Sequence, residues 1–172
     1  MKGKVTRPYG SWRSINSAAN VAKSGMGSNL LLSEFKLDGG NVYWLERDSE
    51  HDGTRNLLRR SSDGAITTLG SAPFNVRTRM HEYGGGSYCI WKDVVFFSNV
   101  KDQRLYRVEN EKPYPITPLS NDGRYADVMA TQDGSQIIAM QERHTAHYGI
   151  RNELVAVLAD GSAPPRILAT GR

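Results

Sequence analysis

The chain is poor in the residues that staple, anchor or activate a protein. It has one cysteine, Cys89, so no internal disulfide can form. Cys89 sits in an apolar strand pattern and reads as a buried thiol, not a reactive one. No stretch is long and apolar enough to span a bilayer, and Met1-Lys2-Gly3-Lys4-Val5-Thr6 lacks the apolar core of a signal peptide. The expected location is cytoplasmic and reducing, with no membrane partner. There is no concentrated positive charge either. The net charge of +4 comes from 22 scattered Lys and Arg against 18 Asp and Glu, and the one tight basic pair is Arg59-Arg60. That is a solvated surface, not a phosphate-binding stripe, so no nucleic acid partner is expected.

The signatures of catalysis are missing as well. A nucleophile elbow needs Gly-x-Ser-x-Gly between strand and helix. Gly85-Gly86-Ser87-Tyr88-Cys89 lacks the last glycine and leads into a strand. Gly84-Gly85-Gly86 is no phosphate loop, because neither a helix pattern nor Gly-Lys-Ser/Thr follows. His144 and His147 lie three apart near Glu142, but no third ligand at metal spacing accompanies them. No catalytic residue, metal or cofactor is assigned to this chain.

What the chain does have is length for a real core, 172 residues, and 17 glycines that suit a turn-rich β-protein. Residues 1–29 stand apart: Pro8-Tyr9-Gly10-Ser11-Trp12 is aromatic and turn-forming. Ser14 or Asn16 can cap a short helix through Ala18, Ala19, Val21 and Ala22, closed by Gly25. That helix is too short to stand alone and must dock on another surface. From Leu30 onward the chain repeats. Asp38-Gly39 and Asp133-Gly134 lie 95 residues apart, and Asp63-Gly64 and Asp160-Gly161 lie 97 apart. Half of either separation is a repeat of about 48 residues, a propeller or solenoid period. Leu57, Leu105 and Leu154 follow at steps of 48 and 49, and Ile66, Ile116 and Ile167 at 50 and 51.

Each repeat reads as four strands, A to D. The A strands fall at 30–37, 86–91 and 125–131, the B strands at 41–46, 93–98 and 136–141. The B strands do not alternate: Val42-Tyr43-Trp44-Leu45, Val94-Val95-Phe96-Phe97 and Ile137-Ile138-Ala139-Met140 are continuous apolar runs. Such a run is a strand buried on both faces. In antiparallel sheets that requires a neighbouring sheet on each side, the environment of a propeller blade. The expected fold is all-β: a partial β-propeller over 30–172, with three four-stranded antiparallel blades at roughly 30–70, 86–118 and 124–170. A short N-terminal extension containing a helix precedes it. Three blades leave two faces bare, whereas closure takes four to eight. The chain is therefore expected to be the front part of something longer, or to assemble with copies of itself or another partner.

In such blades the A–B and C–D turns share one end, and the B–C loops and D–A crossovers share the other. The first set is short. The second holds the long connections 47–54, 69–83 and 142–151, and with them His51, His81, His144 and His147. The second end is the expected working face. Its candidates for holding substrate or packing against another domain are Arg77, Arg79, His81, Glu82, Tyr83, Arg143, His144 and Arg151. Arg77 and Arg79 alternate in an extended segment, suited to clamp a carboxylate or equally to pair with Glu82 or cap blade ends. His81-Glu82-Tyr83 is either an acid/base group or a structural hydrogen-bond corner.

Arg7-Pro8-Tyr9-Gly10-Ser11-Trp12, and above all the segment from Ala72 through Phe74-Asn75-Val76-Arg77-Thr78-Arg79-Met80-His81-Glu82-Tyr83 to Gly86, resemble prolyl-oligopeptidase-family serine peptidases. The likeness is to the branch of acylaminoacyl-peptidases and dipeptidyl aminopeptidases. Phe97-Ser98-Asn99, Asp102 to Tyr106, Arg124 to Asp127 and Asn152 to Val157 fit in the same order. The resemblance implies a roughly seven-bladed propeller that gates peptides or acylated substrates to a C-terminal α/β-hydrolase domain with a Ser-Asp-His triad. That domain, expected beyond Arg172, and the peptide substrate are then the partners. One departure is Ile15-Asn16 after Ser14, where the family carries proline. A free-standing propeller-type protein-binding module, closed by oligomerisation, is the alternative expectation.

Overall fold

Among the described residues twelve strands form three four-stranded antiparallel sheets in which each strand pairs with its sequence neighbour. This computed structural model describes residues 6–8, 10–11, 32–48, 53–120, 123–145 and 149–171. The expected helix, Tyr9, Trp12, His51 and His147 lie outside them. Blade 1 comprises β1 (Leu32–Asp38), β2 (Asn41–Asp48), β3 (Thr54–Arg60) and β4 (Ile66–Gly70). Blade 2 comprises β5 (Tyr88–Trp91), β6 (Val94–Ser98), β7 (Leu105–Glu109) and β8 (Lys112–Pro115). Blade 3 comprises β9 (Gly123–Ala130), β10 (Gln136–Thr145), β11 (Gly149–Leu158) and β12 (Arg166–Thr170). Ile116, read as the repeat's fourth-strand marker, lies one residue past β8 and is buried. No described helix is long and apolar enough to cross a membrane.

The middle blade shows why its B strand is apolar without a break. Val95 and Phe97 of β6 pack with Tyr43, Leu45, Leu57, Tyr88 and Tyr106 in the core between blades 1 and 2. Phe96, between them in sequence, joins Tyr125, Ile137, Val155 and Val157 in the core between blades 2 and 3. Successive side chains of a strand point to opposite faces, so two cores require two apolar faces. Phe74 of the crossover closes the first core, edge-on to Phe97 and Tyr106 at centroid distances of 5.9 and 5.0 Å. In the end blades one face is bare. Phe35 and Leu37 on β1 are 62% and 80% exposed, and Met129 on β9 is 63% exposed.

The internal repeat survives in atomic detail at the short turns. Asp63 Oδ1 accepts from Ser61 Oγ at 2.6 Å and from Ala65 N at 3.0 Å. Asp133 Oδ1 does the same with Thr131 Oγ1 at 2.6 Å and Ser135 N at 3.1 Å. Those donors, Thr131 first, pull the Asp133 carboxyl down to about 2. Gly134 follows with φ of 72° beneath the Trp91 ring, where a Cβ would lie 2.4 Å from ring carbons. We expect Gly134→Ala to cost about 2 kcal/mol, from the left-handed backbone and the displaced indole together. A lowered urea midpoint at unchanged m-value is the check.

One expectation is corrected. The stretch 142–151 is mostly strand and not a loop, because β10 runs to Thr145 and β11 begins at Gly149. Glu142 pairs with Asn152, Arg143 with Arg151 and His144 with Ile150. Their polarity suggested a loop, but backbone pairing continues past the core wherever no face needs apolar cover. Arg143, His144 and Arg151 are thus carried on a two-stranded ribbon.

Candidate functional site

The crossover from β4 to β5 is pinned before it reaches the rim. Asn75 Oδ1 accepts from Arg55 N at 3.1 Å, and Asn99 Oδ1 accepts from Asn75 N at 3.0 Å. Val76 pairs with Asn99, and Arg77 N donates to Ser98 O at 3.1 Å. Thr78 Oγ1 then accepts from Met80 N at 3.1 Å, starting a 3₁₀ turn at Met80–Glu82 with the Met80 side chain buried. His81 and Glu82 have φ of 51° and 61°. Two consecutive non-glycine residues in the left-handed region are strained, and the surroundings must hold them there.

Glu142 of β10 provides the hold. Its side chain is 1% exposed. Oε2 accepts from His81 N at 2.8 Å, and His81 Nδ1 lies 2.8 Å from the same oxygen. Oε1 has His144 Nε2 at 2.6 Å and Arg124 Nη1 at 3.3 Å. Burial works against the charge, but the hydrogen bonds from His144 and His81 N, with the two rings' charges, outweigh it. The Glu142 carboxyl is held below the usual range. Arg124 Nη1 also reaches Glu82 Oε1 at 2.6 Å and Arg79 O at 2.9 Å, and Arg79 Nη2 lies 3.4 Å from Glu82 Oε2. Arg124, then Arg79, keep Glu82 below its ordinary pKa. Next to this network Tyr83 is 92% exposed.

Past the turn, Gly85 and Gly86 let the crossover press on β9. A Cβ on either would lie 3.2 or 3.1 Å from Asp127 Oδ1, the atom that accepts from Gly86 N at 2.8 Å. Ser87, at the serine position of the elbow-like stretch 85–89, is committed to structure: its Oγ donates to Glu34 Oε1 at 3.0 Å and its N to Glu34 Oε2 at 2.8 Å. Burial pushes the Cys89 thiol up to about 12. We expect Cys89 to resist thiol reagents in the folded protein up to about pH 10 and to react only on unfolding; fast modification at neutral pH in native buffer would contradict this. Among the described residues no group of three or more His, Cys, Asp or Glu is placed to hold a metal ion.

Of the residues singled out from sequence, the fold gathers Arg79, His81, Glu82 and His144 into one network. Arg143 and Arg151 stand opposite one another on the ribbon, with Arg143 Nη1 3.9 Å from Glu153 Oε2. Arg77 is exposed on the crossover, apart from the network. The two residues on which the network turns, Glu142 and Arg124, are not among them. Nothing in a linear sequence separates Glu142 from a surface glutamate; its burial comes from the crossover folding over β10. The arrangement orders a rim and presents side chains, and it contains no nucleophile paired with a base.

No protein-family model and no curated protein matches the chain. Solved structures do. A puromycin-hydrolysing peptidase of Mycobacterium tuberculosis is 39% identical with a TM-score of 0.85, over 98% of this chain and 28% of the peptidase. A puromycin hydrolase is 31% identical with a TM-score of 0.81, over 96% and 27%. A mutant of puromycin hydrolase complexed with PGG gives the same values. This chain spans less than a third of the length of those proteins. With three blades, the crossover motif and these likenesses in agreement, the chain belongs to the prolyl-oligopeptidase family of serine peptidases, whose N-terminal propeller region it matches.

Proposed function

We propose that this chain is the propeller segment of a cytoplasmic serine peptidase, gating peptides or acylated peptides to a C-terminal α/β-hydrolase domain. The observation that carries the reading is the pairing of a 98% match to this chain with a 28% match to a peptidase. The bare apolar faces of blades 1 and 3 support it, since burying such faces is the main stabilising term of a propeller. In this role the Glu142 network fixes the crossover, so that the rim presents a constant shape to whatever passes it. The partners are the hydrolase domain and the peptide.

Puromycin, named for the matched peptidases, is the first substrate to try. The 172 residues alone should hydrolyse neither puromycin nor aminoacyl substrates. The native polypeptide chain should have a denatured mass several times 19.1 kDa and the protein should hydrolyse them. A native chain with a denatured mass near 19.1 kDa, assembled into a discrete oligomer that hydrolyses neither, would turn the reading to a self-closing binding module.

A further inference from the structure

The same rim carries a second charged group, apart from the Glu142 network. Arg47 of β2 stands directly opposite Arg55 of β3. Like charges facing each other across a strand pair repel. The crossover adds a third: Val76 N donates to Arg55 O at 3.0 Å and Asn75 Oδ1 accepts from Arg55 N, which brings Arg77 alongside. The Arg47 guanidinium folds over the backbone of Gly53, where a Cβ would lie 2.9 Å from its Nε and Nη2.

Among the described residues the one carboxylate within ion-pair range of these arginines is Glu34, 4.0 Å from Arg55 Nη1. Glu34 already accepts from Ser87 N and Ser87 Oγ. Among the described residues the three guanidinium groups thus have one carboxylate in ion-pair range, near Arg55 alone and already occupied, at a place where the Arg55 side chain is 37% exposed. Partial burial first, then the charge of Arg77, hold Arg55 below the ordinary arginine range; Glu34 opposes this and Arg47 adds to it. An arriving anion would relieve that repulsion and complete the donors' hydrogen bonds. Guanidinium forks match a carboxylate in both charge and geometry.

We propose that Arg47, Arg55 and Arg77 form a carboxylate site that holds the free C-terminus of a peptide substrate at the rim. The inference rests on the peptidase reading, and its test separates the two. Steady-state hydrolysis by the native protein is compared for Ala-Ala-Ala, its C-terminal amide, and Ala-Ala-Asp-amide. Amidation should raise KM about tenfold with kcat within about twofold, the mark of lost ground-state binding. R55Q and R77Q should raise KM for the acid to that of the amide, with far-UV circular dichroism and the urea midpoint of each variant showing that it folds. A low KM for Ala-Ala-Asp-amide would make the carboxylate's source a side chain as well as a terminus; a high one would restrict it to the terminus. Equal KM for acid and amide in the native protein, or a gap that survives R55Q and R77Q, would overturn the site alone. Hydrolysis of puromycin but of none of the three would overturn the site alone, and no hydrolysis of puromycin either would overturn the peptidase reading and the site with it.

Discussion

Replacing Glu142 by glutamine should destabilise the protein by about 3 kcal/mol, within the range for removing one partner of a buried ion pair. The carboxylate is almost wholly out of water and has four donor atoms around it: His81 N, His81 Nδ1, His144 Nε2 and Arg124 Nη1. Glutamine keeps the shape but loses the charge, and its amide nitrogen brings donors to a place already full of them. Arg124 then lies beside a neutral neighbour, and the left-handed pair His81-Glu82 loses what holds it. The sign of the pH dependence follows. The folded carboxyl lies below its ordinary value of 4.5, so the stabilisation is present above that value and lost as pH falls through the folded one. The wild-type advantage over E142Q should therefore shrink below pH 4.5. Urea unfolding of both proteins from pH 7 to pH 3 tests this. An advantage that persists at pH 3 would mean that shape, not charge, holds the crossover. Amide exchange at His81 should quicken in the variant, while exchange in β6 changes only with global stability.

How much of this was legible in the sequence depended on the kind of force at work. The blades were legible because burial is periodic. Val94-Val95-Phe96-Phe97 must face apolar neighbours on both sides, and a 48-residue recurrence of leucines and Asp-Gly turns counts the blades. Gly84-Gly85-Gly86 was legible as no phosphate loop, but nothing in the sequence says that Asp127 lies against it. The rim was legible as a place and not as a set of partners. Glu142 lies 61 residues from His81 and 18 from Arg124, and no local pattern joins them. The ribbon at 142–151 is not legible because its polar side chains have the composition of a loop, whereas β10 and β11 stay paired through it. The pairing of Arg47 with Arg55 needed the β2–β3 register, which the continuous apolar run of β2 does not fix on its own.

The largest losses of stability are expected in β6, and their distribution tests the propeller itself. Phe96→Ala and Phe97→Ala should each cost about 3–5 kcal/mol, the range for emptying a fully buried aromatic site. Phe96 and Phe97 are 1% and 0% exposed, yet they lie in different cores. A sheet with one wet face would make one of the two substitutions nearly neutral. Blade 3 supplies the contrast. Ile137 is fully buried against blade 2, whereas its neighbour Ile138 points with Met129 to the bare side. In the 172-residue chain, Ile137→Ala should cost about 3 kcal/mol and Ile138→Ala under about 1 kcal/mol. In a longer protein whose next blade covers that side, the two costs should converge, because Ile138 then fills a core of its own. Chemical denaturation of both variants in both chain lengths reads this directly. Convergence would mean that a further blade packs on Met129 and Ile138, and a persistent gap would leave that face open in the native protein.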